Sequence, residues 1–195
     1  MQIREESIEC DCFYHIFNRG VNGQKIFANN QNFEFFLAKT KLYLLDYFDV
    51  YAFCLMDNHF HFLLRAKPII KTEKKKSTKT GLHSDEQIYS KQIGKLISSY
   101  TQAFNKVEHR HGPLLESPFK RKKIKSEEYL RNCLIYIHQN PLELGVRLED
   151  YRFSSYRAIV GNKETDVKKD EVIEYFDTVE NFIICHKKIV DLEEF

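Results

Sequence analysis

Apolar and polar positions alternate with two different periods along this chain, and the switches between them outline the elements. Cys12 to Asn18 (Cys-Phe-Tyr-His-Ile-Phe-Asn) has strand character and stops at Arg19-Gly20 and the turn Asn22-Gly23. From Asn29 to Tyr47 the period becomes helical: Phe33, Phe36, Leu37, Leu44 and Leu45 recur on one side, with Asn30 as the expected N-cap. Phe48 to Leu55 is strand-like again. Asp57-Asn58 then turns the chain into a second β-rich run, His59 to Leu64, which predicts an antiparallel hairpin. Gln87 to Val107 carries a helical stripe of Ile93, Leu96, Ile97, Tyr100, Phe104 and Val107, ended by His109-Arg110-His111-Gly112-Pro113. Pro118 to Ile124 reads as a short basic strand.

Ser126 is placed to cap a third helix, with Glu127 and Glu128 favourable in its first turn. That helix is expected to end at Asn140-Pro141, because a residue before proline avoids the α region. Ser154–Val160 and Asp170–Asp191 also have helical patterns. The order β-α-β-β-α-β-α predicts an α+β fold: a ferredoxin-like antiparallel sheet with packed helices, plus a C-terminal helical extension.

Composition adds bounds. The 195 residues, 43 % of them hydrophobic, suffice for one compact domain and an appendage. We expect a main domain over 1–160 and a helical tail over 161–195. Residues 68–84 are rich in Lys, Thr and Ser and are expected to form a flexible insertion. No run is apolar enough to span a bilayer and the N-terminus lacks a signal-peptide core, so no membrane role and a cytoplasmic location are expected. The five cysteines form no CxxC pair and read as reduced thiols. Net charge is only +2, but the lysines cluster. Lys67–Lys79 and Lys106–Lys125 are basic while the tail after Asn162 is acidic on balance. Local basic stretches suit a polyphosphate partner, although each is also compatible with an ordinary solvated surface.

The candidate chemistry begins with His59-Phe60-His61. On a strand the two histidines share a face and lie about 6.6–6.8 Å apart along the chain. They could converge on a divalent cation, or they could simply be two half-buried histidines with local hydrogen bonds. On the third helix, Leu130, Leu134 and Ile137 form the aliphatic stripe, and Tyr136 lies off its centre. Asn140 is one turn beyond Tyr136. Two imidazoles and an amide oxygen make a three-ligand site with open positions, and a phenol one turn away would stand beside whatever the cation holds. Tyr100 is the rival phenol, but it is central on an apolar stripe and its i+4 neighbour is Phe104, so it reads as core. Arg19, Lys120, Arg121, Lys122 and Lys123 are candidate phosphate contacts, with Phe119 a candidate base-stacking side chain.

These residues occur in a familiar order. Asn58-His59-Phe60-His61-Phe62-Leu63-Leu64 resembles the His-hydrophobe-His motif of single-strand DNA transposases. Tyr136-Ile137-His138-Gln139-Asn140-Pro141 resembles the tyrosine-bearing helix of the REP-associated tyrosine transposases, as do Tyr14-His15-Ile16-Phe17-Asn18-Arg19-Gly20 and Phe153-Ser154-Ser155-Tyr156-Arg157. The resemblance covers roughly residues 12–160; the lysine-rich insertion and the acidic tail have no counterpart in it. It implies a metal-dependent endonuclease and strand transferase that cuts and rejoins single-stranded DNA near hairpins through a 5′-phosphotyrosine. By motif, Tyr136 is the nucleophile and His59, His61 and Asn140 hold Mg²⁺ or Mn²⁺. Single-stranded or hairpin DNA is the implied partner, and the family accommodates both monomers and homodimers. Two alternatives stay open: a domesticated relative that binds hairpin DNA or RNA without cutting it, and a metal hydrolase in which water attacks.

Overall fold

A computed structural model describes residues 7–69 and 85–192. Most of the lysine-rich insertion and the last acidic residues, Glu193 and Glu194, lie outside them. The chain runs β1 (Phe13–Arg19), α1 (Asn30–Leu44), β2 (Phe48–Met56), β3 (His59–Ala66), α2 (Asp85–Val107), β4 (Lys120–Ile124), α3 (Glu127–Gln139), a 3₁₀ turn (Asn140–Leu144), then α4 (Tyr156–Val160), α5 (Lys169–Glu174) and α6 (Val179–Cys185). Every neighbouring pair of strands is antiparallel, in the order β2-β3-β1-β4. With α1 and α2 as the two crossovers, this is the ferredoxin-like arrangement that the element order implies.

The period of two sorts the side chains onto two faces. One face carries Tyr14 and Ile16 of β1 and Phe60, Phe62 and Leu64 of β3, all buried. α1 and α2 cover it, and Phe36 of α1 meets Phe60 at 5.1 Å and Tyr100 of α2 at 4.9 Å between ring centres. A register shift between Val50 and Ala52 adds one residue to β2. Without that bulge, Phe48 and Val50 could not share this face with Phe53 and Leu55, since a one-residue slip reverses every side chain. The opposite face carries His15, Phe17 and Arg19 of β1 opposite Leu63, His61 and His59 of β3. α3 packs there, against β2 and β3.

The outer edge of β2 is closed by later chain. Leu55 N–H donates to Phe153 O and Ser155 N–H to Phe53 O, each at 2.9 Å, and Lys168 N–H donates to Val50 O at 2.8 Å. These bonds occupy backbone groups that an open edge would leave unpaired. Beyond α6 the chain crosses to the end of α3, where Gln139 Nε2 donates to His186 O (3.0 Å) and Lys188 O (2.7 Å) and Gln139 Oε1 accepts from Val190 N–H (3.1 Å). No helix among the described residues is long and apolar enough to cross a membrane.

Three local expectations are corrected. The N-cap of α1 is Asn29, whose side chain accepts from Asn32 N–H; Asn30 is already helical. α3 does end at Gln139, but Asn140 keeps right-handed helical angles (φ −48°, ψ −41°) and the chain tightens into a 3₁₀ turn. Pro141 stands in the first turn of that segment, where its missing N–H leaves no bond unmade. The helix expected over 170–191 is two, separated at Asp177 (φ 65°), with Thr178 capping α6.

Candidate active site on the histidine face

His59 sits at the start of β3 and Asn140 at the exit of α3. Helix α3 starts where Ser126 Oγ accepts from Tyr129 N–H, with Glu127 and Glu128 in the first turn. Leu130, Leu134 and Ile137 bury its aliphatic stripe. That packing turns the other side of its last two turns, with half-buried Tyr136 and buried Asn140, toward the histidines. The Tyr136 ring stands edge-on to His61 at 5.6 Å and to His15 at 6.1 Å. His59 Nε2 lies 3.1 Å from Asn140 Oδ1. The structure therefore gathers Tyr136, His59, His61 and Asn140 at one place. Tyr100 is on the opposite face of the sheet, buried, with its hydroxyl donating to Ile26 O at 2.5 Å; burial, and secondarily Glu108, raises its pKa.

The hydrogen bonding around His59 bears on whether these residues suit a cation. His59 Nδ1 is 2.7 Å from Asn58 Oδ1, an oxygen that can only accept, so the ring proton belongs on Nδ1. Asn140 Nδ2 donates to Tyr136 O at 2.9 Å, which fixes its Oδ1 toward His59. A lone pair on Nε2 thus faces a carbonyl oxygen at 3.1 Å. Two acceptors in contact need a second ring proton or a cation between them. Two donors bound at right angles to one ion at about 2.1 Å are about 3.0 Å apart, so the spacing fits a shared octahedral ion. Among the described residues no three His, Cys, Asp or Glu side chains cluster to hold a metal; the oxygen nearest His59 Nε2 is the Asn140 amide oxygen. His61 is held neutral: burial, then the neighbouring His15 and His59, puts its pKa well below the ordinary value.

His15 is a member of this cluster that sequence reasoning did not single out. Its Nε2 is 2.8 Å from His61 Nδ1, both rings are buried, and burial with Lys122 nearby lowers its pKa to about 3. In the ladder His15 is opposite Leu63, so it meets His61 diagonally. Alternation along β1 signals its face; its partner depends on register. A second buried relay fastens α3 from behind. Ser155 Oγ is 2.7 Å from His138 Nε2, His138 Nδ1 is 2.9 Å from His186 Nε2, and His186 Nδ1–H donates to Phe182 O at 2.7 Å. Burial lowers both histidines, His186 to about 4.

The candidate phosphate contacts divide between faces. Lys120 and Lys122 stand opposite Phe17 and His15, on the histidine face. Lys120 lies over Phe17 (5.9 Å) and Lys122 over Tyr129 (4.6 Å). Arg121 and Lys123 point to the other face, where Arg121 donates to Ser90 Oγ (2.6 Å) and Lys123 pairs with Glu9 (2.8 Å). Phe119, partly buried against the core, lies beneath the Arg121 guanidinium at 5.7 Å. Arg19 pairs with Glu116 at 2.6 Å.

No family model and no curated protein matches the chain. Among solved structures it is similar to a REP-associated tyrosine transposase bound to a REP hairpin, with a TM-score of 0.60 over 87 % of this chain and 96 % of that one, at 15 % sequence identity. The motifs read from the sequence and the fold found by comparison thus resemble one and the same family, the REP-associated tyrosine transposases.

Proposed function

We propose that this chain is a strand transferase acting on single-stranded DNA beside hairpins, with its active site within residues 1–160. The Tyr136 oxygen attacks a phosphodiester phosphorus and the phenol proton goes to solvent. The bond to the 3′ oxygen breaks, leaving a free 3′-hydroxyl and a 5′-phosphotyrosine. A 3′-hydroxyl attacks that ester in turn, restores the phenol and joins the strands, so no outside energy is needed. His59, His61 and Asn140 would hold Mg²⁺ or Mn²⁺, which when bound would supply Lewis-acid polarisation of the phosphodiester. The chain's own groups do the rest. Asn140 is aimed by its bond to Tyr136 O, His59 by its bond to Asn58, and the neutral state of His61 keeps a lone pair for ligation. Lys120 and Lys122, on the histidine face, contact the strand's phosphates, a role we also give to Arg19 opposite His59, with Phe119 against a base; Arg121 and Lys123, turned to the other face toward Ser90 and Glu9, are given no part in it.

The observation that carries this reading is the acceptor pair His59 Nε2 and Asn140 Oδ1 at 3.1 Å, beside the Tyr136 ring. It is tested by intact-mass spectrometry of the protein after incubation with a hairpin-flanked single-stranded oligonucleotide and Mn²⁺. We expect a covalent adduct that Tyr136→Phe abolishes and Tyr100→Phe retains, and DNA binding that weakens steeply with salt. An adduct surviving Tyr136→Phe would overturn the assignment. Cleaved DNA without adduct would indicate attack by water, and binding without cleavage a hairpin-binding module.

A further inference from the structure

His15 and His61 are buried, and the 2.8 Å between His15 Nε2 and His61 Nδ1 holds one proton. Neither ring is at liberty to turn aside. His15 stacks on Phe17 at 4.7 Å and Phe17 on His61 at 5.6 Å, while the two imidazoles lie edge to edge, their planes 23° apart. The shared proton has two positions. If His15 donates it, neutral His61 must carry its own proton on Nε2 and has no lone pair left for a cation. If His61 donates it, Nε2 of His61 keeps its lone pair and His15 carries its proton on Nδ1. The bond within the pair is made equally well either way. The neighbouring groups distinguish the two. His59 Nε2 and Asn140 Oδ1 already present two acceptors to each other, and the His61 ring stands 5.1 Å from the His59 ring, so a lone pair on its Nε2 would offer the third donor that the proposed site calls for.

We propose that His15 is a positioning residue: it accepts the Nδ1 proton of His61 and thereby commits His61 Nε2 to the cation. The inference rests on His61 being a ligand. It adds that the ligand's ring orientation and tautomer are set by a second imidazole across the sheet. Metal-binding histidines ordinarily donate their other N–H to a carboxylate, a carbonyl or water, and losing such a partner weakens binding about 10- to 100-fold. A neutral imidazole in that role can give the proton back, so cation uptake and the tautomer of His15 change together.

The test uses the metal-free full chain titrated with Mn²⁺ alone and followed by electron paramagnetic resonance of the free ion. His15→Phe keeps an aromatic ring but no acceptor, and is expected to weaken Mn²⁺ binding about 10- to 100-fold. His15→Gln returns an acceptor oxygen and is expected to recover most of that loss. Equal affinity of wild type and His15→Phe, or no recovery in His15→Gln, would overturn the proposal. Nitrogen-15 spectra of the wild type with Mg²⁺ give a reading that needs no variant. The proton of His61 should be on Nδ1, and finding it on Nε2 would defeat the proposal. Wild type that takes up no Mn²⁺ would instead defeat the metal reading of the site, on which this inference rests.

Discussion

The two faces of the sheet solve opposite problems with the same strands. On the α1/α2 face Phe36, Phe60, Phe62 and Tyr100 pack ring to ring, and the one hydroxyl in that group is spent on Ile26 O. On the α3 face buried histidines contact one another, and two acceptors stand 3.1 Å apart. Alternation lets residues adjacent in sequence, such as His59 and Phe60, serve both. The aromatic face supplies rigidity through burial; the histidine face keeps polar groups under-satisfied, which is costly in a core and useful in a site.

The comparison can be broken experimentally. The largest effect on stability is expected from Phe60→Ala, which empties the centre of the aromatic face and should cost about 3–5 kcal/mol in urea unfolding. Acid should act on the other face. His15 and His61 are buried there, and His138 and His186 are buried behind α3, all with lowered pKa values, His15 to about 3 and His186 to about 4. Their unfolded pKa is about 6.5, so their stabilising contribution is complete above that pH. It is lost as pH falls below about 6.5 toward the folded values, by at most about 1.4 kcal/mol per unit for each histidine. Urea midpoints should therefore drop between pH 6.5 and 5, above the carboxylate range, and a flat profile would mean these rings are protonated in the fold. Tyr100→Phe should cost about 1–3 kcal/mol by stranding the Ile26 carbonyl. Tyr136→Phe, half-exposed, should cost least, about 1 kcal/mol or less, although we expect it to abolish the DNA adduct. If Tyr136→Phe proved the more destabilising of the two, the division between a buried structural phenol and a half-exposed one would fail.

What could be read from the sequence follows how local each interaction is. The faces of β1 and β3 needed only alternation, whereas β2 changes phase at its bulge; the placement of Tyr136 beside Asn140 needed only helical spacing. The order of the elements sufficed for the ferredoxin-like arrangement. The pairing of His15 with His61 was hidden because a diagonal contact depends on the β1–β3 register. The relay through Ser155, His138 and His186 joins three segments far apart in the chain. Asn140 resisted the pre-proline rule because a 3₁₀ turn accommodates Pro141 in its first turn. The division at Asp177 rests on a left-handed residue that periodicity does not register.

The grip of Gln139 on the chain beyond α6 has a practical side. Shortening a protein from its end is a routine step when preparing samples, and here a cut before Lys188 would take away one of the two carbonyls that Gln139 Nε2 binds and the amide that its Oε1 accepts. The adjoining residue is Asn140. A truncated sample would then have a loosened exit from α3, and poor cation uptake by it would say more about the trimming than about the donors themselves.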